Sequence, residues 1–306
     1  MEYIFIVNPK SRSGMGEMTW RKLEPELKKK KVIYRVYLTQ RAGHACDIAG
    51  QVTADNEEHT LVVLGGDGTV NEVLNGIRDV GKVTLGYIPL GSSNDFARGM
   101  GIPKEPAEAL AVILNKGRIC SMDVGVTIRN GKQKRFAVST GIGFDAAVCH
   151  EVCVSKWKTF LNMLHLGKLS YAAVAFDRLI KDKAVNARVT LDTGETRTFE
   201  KTWFVAAMNH RYEGGGFCFC PKASAEDGML DVIVASGVSK LKILCLLPTA
   251  FAGWHVHFKG VTILRCREAE ISFDAPLPIH TDGEPLFLRR KMTVGLLPDK
   301  IRVITA

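Results

Sequence analysis

The chain has 306 residues, 46% of them hydrophobic, and its 41 Lys and Arg against 32 Asp and Glu give a formal net charge of +9. A length of this order supports two domains with real cores. A membrane-spanning chain is excluded, because a spanning helix needs roughly 20 apolar residues, and the longest apolar run, Ile243 to Trp254, is shorter and broken by Pro248.

The N-terminus lacks a basic region followed by an apolar segment, so no signal peptide is expected and the reading is a cytoplasmic protein. The positive charge implies attraction to polyanions, and nucleic acid, anionic membranes and phosphorylated small molecules all fit it. Lys28 to Lys31 reads as the solvated end of a helix. No interleaving of aromatic and basic residues and no zinc-finger or helix-turn-helix pattern occurs, so nucleic acid is not expected. The eight cysteines (46, 120, 149, 153, 218, 220, 245, 266) show no framework spacing, and free thiols are expected. Cys218-Phe219-Cys220 and the group Cys149, His150 and Cys153 lack the paired spacing of a zinc site.

In chain order, strand patterns at Tyr3–Val7, Val32–Leu38, Leu61–Leu64 and Thr84–Ile88 alternate with helical patterns around Glu17–Lys30, His44–Thr53 and Val70–Arg78. That alternation specifies a parallel α/β sheet, and ligands in such folds bind beyond the carboxyl ends of the strands. After the first strand comes Asn8-Pro9-Lys10-Ser11-Arg12-Ser13-Gly14, with two cations and two hydroxyls. Thr39 and Gly43-His44-Ala45 follow the second, and Pro89 to Arg98 follows the fourth. Each loop is explicable as turn chemistry alone. Together they mark one end of the sheet as polar.

After the third strand stands Gly65-Gly66-Asp67-Gly68-Thr69, which leads into a helix with Val70, Val73, Leu74 and Ile77 at helical spacing. Three glycines are expected to take positive φ and let the backbone approach a ligand, with free N–H groups at the helix start pointing at it. A carboxylate in an anion-attracting loop is unfavourable unless a metal ion or a proton transfer needs it, so Asp67 favours a nucleotide-phosphate cradle over a bare turn.

Beyond about Ser121 the pattern changes to short strands, at Val124–Ile128, Phe136–Thr140, Ala187–Leu191, Thr202–Met208, Leu230–Val234 and Glu270–Phe273, with turns such as Asn130-Gly131 and Thr193-Gly194. Helical patterns interrupt them at Lys158–Lys181 and Lys240–Phe251. The final stretch ends in an apolar strand, Ile301–Ile304, able to pack on either domain. The expected division is an α/β domain over 1–121, to which 291–306 returns, and a β-rich domain over 122–290.

Gly65 to Glu72, Asn8-Pro9-Lys10-Ser11, Pro89 to Arg98 and the late Asp282-Gly283-Glu284 together resemble the diacylglycerol kinase catalytic-domain family, more narrowly the bacterial soluble lipid kinases, relatives of sphingosine kinases and NAD kinases. The likeness runs through Gly214-Gly215-Gly216-Phe217, Pro221-Lys222-Ala223 and Asp227-Gly228-Met229-Leu230-Asp231. It implies an NAD kinase/diacylglycerol kinase-like architecture: an N-terminal Rossmann-like domain binding ATP, a C-terminal β-sandwich, and an active site in the cleft between them. By the resemblance, ATP contacts fall on Asn8, Pro9, Lys10, Ser11, Arg12, Thr39, Gly66, Asp67, Gly68, Thr69, Val70, Asn71, Glu72 and Ser92, the last standing where threonine is usual. A structural Mg²⁺ would map to Ser224, Asp227 and the carbonyl of Met229.

Phosphoryl transfer needs a γ-phosphate held in line, its charge neutralised, and a carboxylate to take the acceptor's hydroxyl proton. Asp67 is placed to organise magnesium directly or through water. Asp282 and Glu284 read locally as a hairpin turn. The resemblance makes Glu284 the general base with Asp282 in support, and Lys10, Arg12 and Arg98 are candidate phosphate partners. Leu161, Leu164, Leu169, Ala172, Ala173 and Phe176, between Lys156, Lys158, Lys168 and Lys181, read either as a core helix or as an interfacial one. His255 and His257 near Trp254 read as satisfied histidines. The expected activity is ATP- and Mg-dependent phosphorylation of a lipid hydroxyl, diacylglycerol leading, by a protein peripherally associated with the inner face of an anionic membrane. A soluble acceptor (NAD or a sugar), a catalytically silent nucleotide-binding protein, and a homodimer stay open.

Overall fold

The computed structural model describes residues 2–115, 117–129, 131–154, 174, 176–286 and 288–306. It divides into two compact units, residues 1–124 with 297–306, and residues 125–296. The return to the first unit therefore begins at Leu297 rather than at 291. The apolar segment from Leu161 to Ala173, with its lysines 156, 158 and 168, lies outside the described residues, as does Asn130. No helix among the described residues is long and apolar enough to cross a membrane.

The first unit is built on strands β1 (Tyr3–Val7), β2 (Tyr34–Leu38), β3 (His59–Gly65), β4 (Val83–Pro89) and β5 (Arg118–Met122). Its helices are α1 (Ser11–Lys29), α2 (His44–Val52), α3 (Asp67–Gly76), α4 (Asp95–Met100) and α5 (Pro106–Leu114). Strands β1 and β4 are buried along their whole length and β3 at all but its first residue. Parallel strands covered on both faces require such continuous apolar runs. The ladders β1–β2, β1–β3 and β3–β4 are all parallel.

The last strand of the chain, Ile301–Thr305, completes this sheet. It lies between β4 and β5, parallel to the first and antiparallel to the second, which settles the two-way expectation for the final stretch. Ile301 and Val303 are fully buried, and the chain's first and last strands both lie inside the sheet rather than at its edges.

The second unit holds β6 (Gly125–Arg129), β7 (Lys132–Phe136), β8 (Ser139–Gly143), β9 (Val185–Leu191), β10 (Thr196–Met208), β11 (Leu230–Ser236), β12 (Val261–Cys266), β13 (Glu268–Leu277), β14 (Ile279–Thr281), β15 (Glu284–Pro285) and β16 (Arg289–Leu296). Its helices include α6 (Phe144–Val154) and α7 (Lys240–Ala250). Strand β10 organises the unit. Its first half pairs with β9, its second half with β8 and β11, and the register shifts between Phe199 and Thr202, where Lys201 has φ 51°. A bulge of this kind bends a long strand and lets it pass between layers. Alternate residues of β10 and β11 then face opposite cores: Val205, Ala207, Val232 and Val234 join the main cluster, while Ala206, Met208 and Ile233 join a second one with Cys220 and Ala223.

The expected strand Phe136–Thr140 is interrupted at Ala137 and Val138. The Asp282 carboxylate accepts N–H groups from Ala137, Val138 and Ser139 at 2.8–3.0 Å, and Asn209 Nδ2 donates to the Ala137 carbonyl, so this backbone is satisfied without a ladder partner. Side chains from distant segments thus override a local strand preference.

Replacing Ile301 by Ala is expected to destabilise the protein by about 2–5 kcal/mol in urea unfolding, whereas Ile119→Ala, on the neighbouring strand but 54% exposed, should change stability by about 0.5 kcal/mol or less. Equal effects at the two positions would contradict the central placement of the last strand.

Candidate active site

In the first unit the carboxyl ends of the parallel strands carry the polar loops. Gly66 caps α3 in extended geometry, φ −98°, and Asp67 and Gly68 already lie in the helix. None of Gly65, Gly66 and Gly68 has positive φ, which corrects the conformational expectation. What glycine supplies here is space. A Cβ on Gly65 would meet Thr69 Oγ1 at 2.6 Å, and one on Gly66 would meet the Cα of Gly91 at 3.2 Å, while a Cβ on Gly91 would reach back to the Gly66 Cα at 3.0 Å. Two loops therefore approach backbone to backbone, joined by the Leu90 N–H bond to the Gly65 carbonyl at 2.6 Å. The first turn of a helix leaves its leading N–H groups without intrahelical acceptors, and here those of Asp67 and Gly68 stand at the end of a buried sheet, the geometry of an anion cradle.

The residues around it play separate parts. Asn8 Nδ2 donates to Thr69 Oγ1 at 3.2 Å and Asn8 Oδ1 accepts from the Lys10 N–H at 3.1 Å, tying the first loop to the cradle. Arg12, Ser13 and Gly14 follow with φ 46°, 59° and 93°, three left-handed residues interrupting the first turn of α1. For non-glycine residues that conformation costs about 1–2 kcal/mol each, strain of the sort kept at ligand loops. Lys10, Arg12 and Ser92 are exposed, and Ser11 and Thr39 are buried.

Three of the predicted nucleotide contacts are buried or bonded within the unit itself. Val70 and Asn71 are buried. Glu72 uses both oxygens to hold the start of α2, accepting from the Gly43 N–H at 2.8 Å and the Ala45 N–H at 3.2 Å. Arg98 is ion-paired with the buried Asp95, so its charge is committed within the protein. Asp95 belongs to the Pro89–Arg98 stretch that carries the family resemblance. Burial pushes the pKa of the Tyr87 phenol well above its usual value, and the negative charges of Asp67 and then Asp95 push it further, which places the two carboxylates around one buried phenol. Paired carboxylate oxygens suit magnesium, directly or through water, and Asp67 is the residue that would hold it.

The second predicted cation position does not fit one. Asp227 is ion-paired with Arg265 at 2.6 Å through one oxygen and accepts the Met229 N–H at 3.0 Å through the other, and Ser224 Oγ accepts the Glu226 N–H. A guanidinium already occupies the place of a cation, and the loop is satisfied by its own groups.

In the second unit, Asp145 of α6, His280 of β14 and Glu213 converge. His280 is fully buried, with Nε2 at 2.7 Å from Asp145 Oδ2 and 3.1 Å from Glu213 Oε1, and Cys149 of α6 lies in the same group. Gly141 makes room, since a Cβ there would stand 2.4 Å from Asp145 Oδ2 and 2.6 Å from His280 Nε2. Burial opposes charging of His280, but Asp145 and then Glu213 outweigh it and push its pKa to about 9. The ring's other nitrogen, Nδ1, accepts the Gly283 N–H at 3.2 Å, a bond the charged ring gives up. Attraction to two buried anions exceeds one neutral hydrogen bond. None of these three residues was singled out in the sequence, because they come from segments far apart and show no common spacing.

The same turn carries the predicted acid–base pair. Asp282, φ 49°, has its oxygens engaged by the Ala137–Ser139 backbone, so it works as a clamp, and Glu284 is exposed on β15. Among the other residues noted from sequence, His150 Nε2 bonds the Ile279 carbonyl and His255 Nε2 the Phe219 carbonyl, both at 3.1 Å, and Cys218 and Cys220 are buried thiols pushed up by burial.

Beside α6 lies a cavity of about 660 Å³ lined by aromatic and aliphatic side chains, including Phe144, Trp203, Phe217, Leu244 and Phe251, with Asp145 and Cys149 in its wall. Ligand cavities span roughly 300–1,000 Å³. Phe217 and Phe251 stack at 4.1 Å between ring centres, fixing one side of it.

A folded His280 keeps its proton to about pH 9 while an unfolded histidine releases it near 6.5. The stabilisation is therefore complete below about 6.5 and is withdrawn as pH rises to about 9. Denaturant unfolding at about pH 6 and about pH 9.5 should show that loss, and His280→Gln should cost about 3 kcal/mol at the lower pH by leaving two carboxylates buried together. A wild-type stability that stays flat between these pH values would sink the assignment.

Residues 2–127 match the family model of the diacylglycerol kinase catalytic domain, and residues 137–305 match that of the YegS C-terminal NAD kinase beta sandwich-like domain. A Bacillus subtilis (strain 168) protein bearing the lipid kinase name YtlR is 31% identical over 92% of this chain and 93% of its own. A Mycobacterium tuberculosis (strain H37Rv) protein named diacylglycerol kinase is 30% identical over 75% of each chain. A crystal structure of a diacylglycerol kinase from Bacillus anthracis str. Sterne superposes with TM-score 0.74 at 22% identity, covering 100% of this chain and 97% of that one, which shows the fold. The chain belongs to the diacylglycerol kinase catalytic-domain family of lipid kinases, with an α/β domain followed by a β-sandwich.

Proposed function

We propose that this protein transfers the γ-phosphoryl group of ATP to the hydroxyl of a membrane lipid, with diacylglycerol as the leading acceptor and phosphatidic acid as the product. The observation that carries the choice of acceptor is the apolar cavity of the β-rich unit, about 660 Å³ with a wall of phenylalanine, tryptophan and leucine side chains. Burying apolar ligand surface there is worth about 25 cal/mol per Å². A sugar or the nicotinamide dinucleotide would bring polar groups to a wall that offers them few partners.

In this reading the cradle of Gly66 to Thr69 binds the nucleotide phosphates through backbone N–H groups, with Lys10 and Arg12 adding exposed positive charge. Asp67 would hold magnesium, which would supply neutralisation of phosphate charge. The acceptor oxygen attacks the γ-phosphorus, the bond from that phosphorus to the bridging oxygen breaks to release ADP, and the hydroxyl proton passes to Glu284. Asp282 contributes by fixing the turn before that base, and the Asp145–His280–Glu213 group fixes the strand that leads into it. Work on an anionic membrane from its cytoplasmic side follows from a lipid acceptor and a basic protein.

Incubation with radiolabelled ATP, Mg²⁺ and mixed micelles of diacylglycerol should place label in the organic phase. Asp67→Ala and Glu284→Ala should each reduce the rate by at least about a hundredfold. Label confined to the aqueous phase in a product requiring NAD or a sugar would replace the lipid acceptor while keeping phosphoryl transfer. Introducing Ala235→Phe on the cavity wall should raise KM for long-chain lipid more than it lowers kcat, because it fills acceptor space without touching the nucleotide loops.

A further inference from the structure

A helix apolar around its whole circumference belongs inside a protein core or at a membrane. Helix α7, KLKILCLLPTA, is apolar from Ile243 to Pro248 on every face; Ile243, Leu244 and Leu246 are half-buried against the Phe144–Trp203 cluster, while Leu241, Cys245 and Pro248 on the helix are exposed. Around it stand further exposed apolar side chains. Leu241 is 73% exposed, Trp254 65%, Ile180 60%, Phe176 51%, Phe251 46% and Phe258 43%. Direct contacts join these segments into one surface. Lys240 Nζ bonds the Ile180 carbonyl at 2.7 Å at one end of the helix, Lys242 Nζ bonds the Lys259 carbonyl at 2.8 Å, and α7 packs on the short helical turn Trp254–His257.

Two features say what covers this surface. From Gly237 to Gly260 the chain contains Lys240, Lys242 and Lys259 and not one Asp or Glu, within a protein of net charge +9. Lysines set among exposed aliphatic and aromatic side chains match the headgroup level of an anionic bilayer, where a Trp ring with its N–H also sits best. Secondly, Phe176, Pro248 and Phe251 belong both to this surface and to the lining of the apolar cavity. The cavity therefore reaches the surface through the same side chains that are left uncovered.

We infer that the α7 face, with Leu241 and Trp254 as its outermost anchors, seats in the interface of an anionic membrane and presents the cavity to the hydrocarbon, so that an acyl chain enters without crossing water. This rests on the lipid reading above for its purpose, though not for its geometry. With eleven residues α7 lies in the interface plane and does not span it.

The test uses the full chain and vesicles of phosphatidylcholine, alone or in equimolar mixture with phosphatidylglycerol. Sedimentation should show binding to the mixed vesicles that weakens with added salt. The double variant Leu241→Asp, Trp254→Asp alters exposed side chains outside the cavity lining, and should bind roughly a hundredfold more weakly with an unchanged thermal melt, since two anchoring side chains are lost. Brominated lipids should quench a fluorescence component that is missing from Trp254→Phe. Vesicle affinity unchanged in the double variant, or no quenching assigned to Trp254, would overturn the inference. So would conversion of a dimer to a monomer by the same variant with vesicle affinity intact, which would make the face a contact between copies. Phosphoryl transfer to a short-chain diacylglycerol in true solution separates this from the functional reading. Activity there that survives in the double variant supports a docking role for the face. A wild type inactive on every lipid overturns the lipid reading, and with it the purpose inferred for the face.

Discussion

A buried imidazole between two carboxylates is the constraint on which the β-rich unit depends. His280 is reached by Asp145 from α6 and by Glu213 from the turn that leads to Phe217, and it sits on a three-residue strand whose neighbour is β8. Isolated, none of the three groups could be buried cheaply. Together they share charge, and the price is a backbone with no side chain at Gly141. The consequence extends beyond the network itself. Helix α6 supplies Phe144, Val148 and Cys149 to the cavity wall, and the Glu213 turn supplies Gly214 and Phe217. The ion pair that orders these two segments thus gives the apolar cavity its shape.

The α/β unit depends on a different economy, the absence of side chains where two loops meet. Gly66 and Gly91 lie backbone against backbone, so the helix that starts at Asp67 stands directly over the end of a buried parallel strand. Side chains that could have served a ligand hold this arrangement instead. Glu72 caps α2 from across the unit and Asn8 bridges to Thr69. The loop's strain at Arg12 and Ser13 is carried by a frame that is otherwise regular. Phosphate recognition by backbone groups demands this rigidity, because N–H dipoles act strongly only when they need no reorientation.

On the reading proposed above, the cradle and the apolar cavity of this lipid kinase family member serve two substrates that differ as much as substrates can, a polyanion bound by dipoles and cations and an oil-soluble chain bound by area. The chemistry asked of the protein is modest, since phosphoryl transfer relies on positioning and on neutralised charge. Delivering a hydroxyl that belongs to a bilayer is the harder requirement. The exposed face of α7, whose lysines have no acidic neighbours along the chain, would answer it on the inference drawn above.

Strand and helix alternation in the first third was legible from residues 3 to 89 because parallel central strands must be continuously apolar and their ends must be polar, and these patterns are local. The glycine-rich turn was legible for the same reason, although the use made of its glycines was not: φ stays negative, and only the position of Gly91 shows why a Cβ is forbidden. What tertiary structure alone decided involves partners distant in the chain. Asp282 reads as half of a hairpin turn until Ala137, Val138 and Ser139 are found bonded to it. The resemblance makes Asp227 a metal ligand, and only the tertiary structure shows Arg265 beside it. Asp145, Glu213 and His280 carry no periodicity and no spacing, because an electrostatic network is set by distance in space, whereas sequence patterns record only the repeat of a helix or a strand.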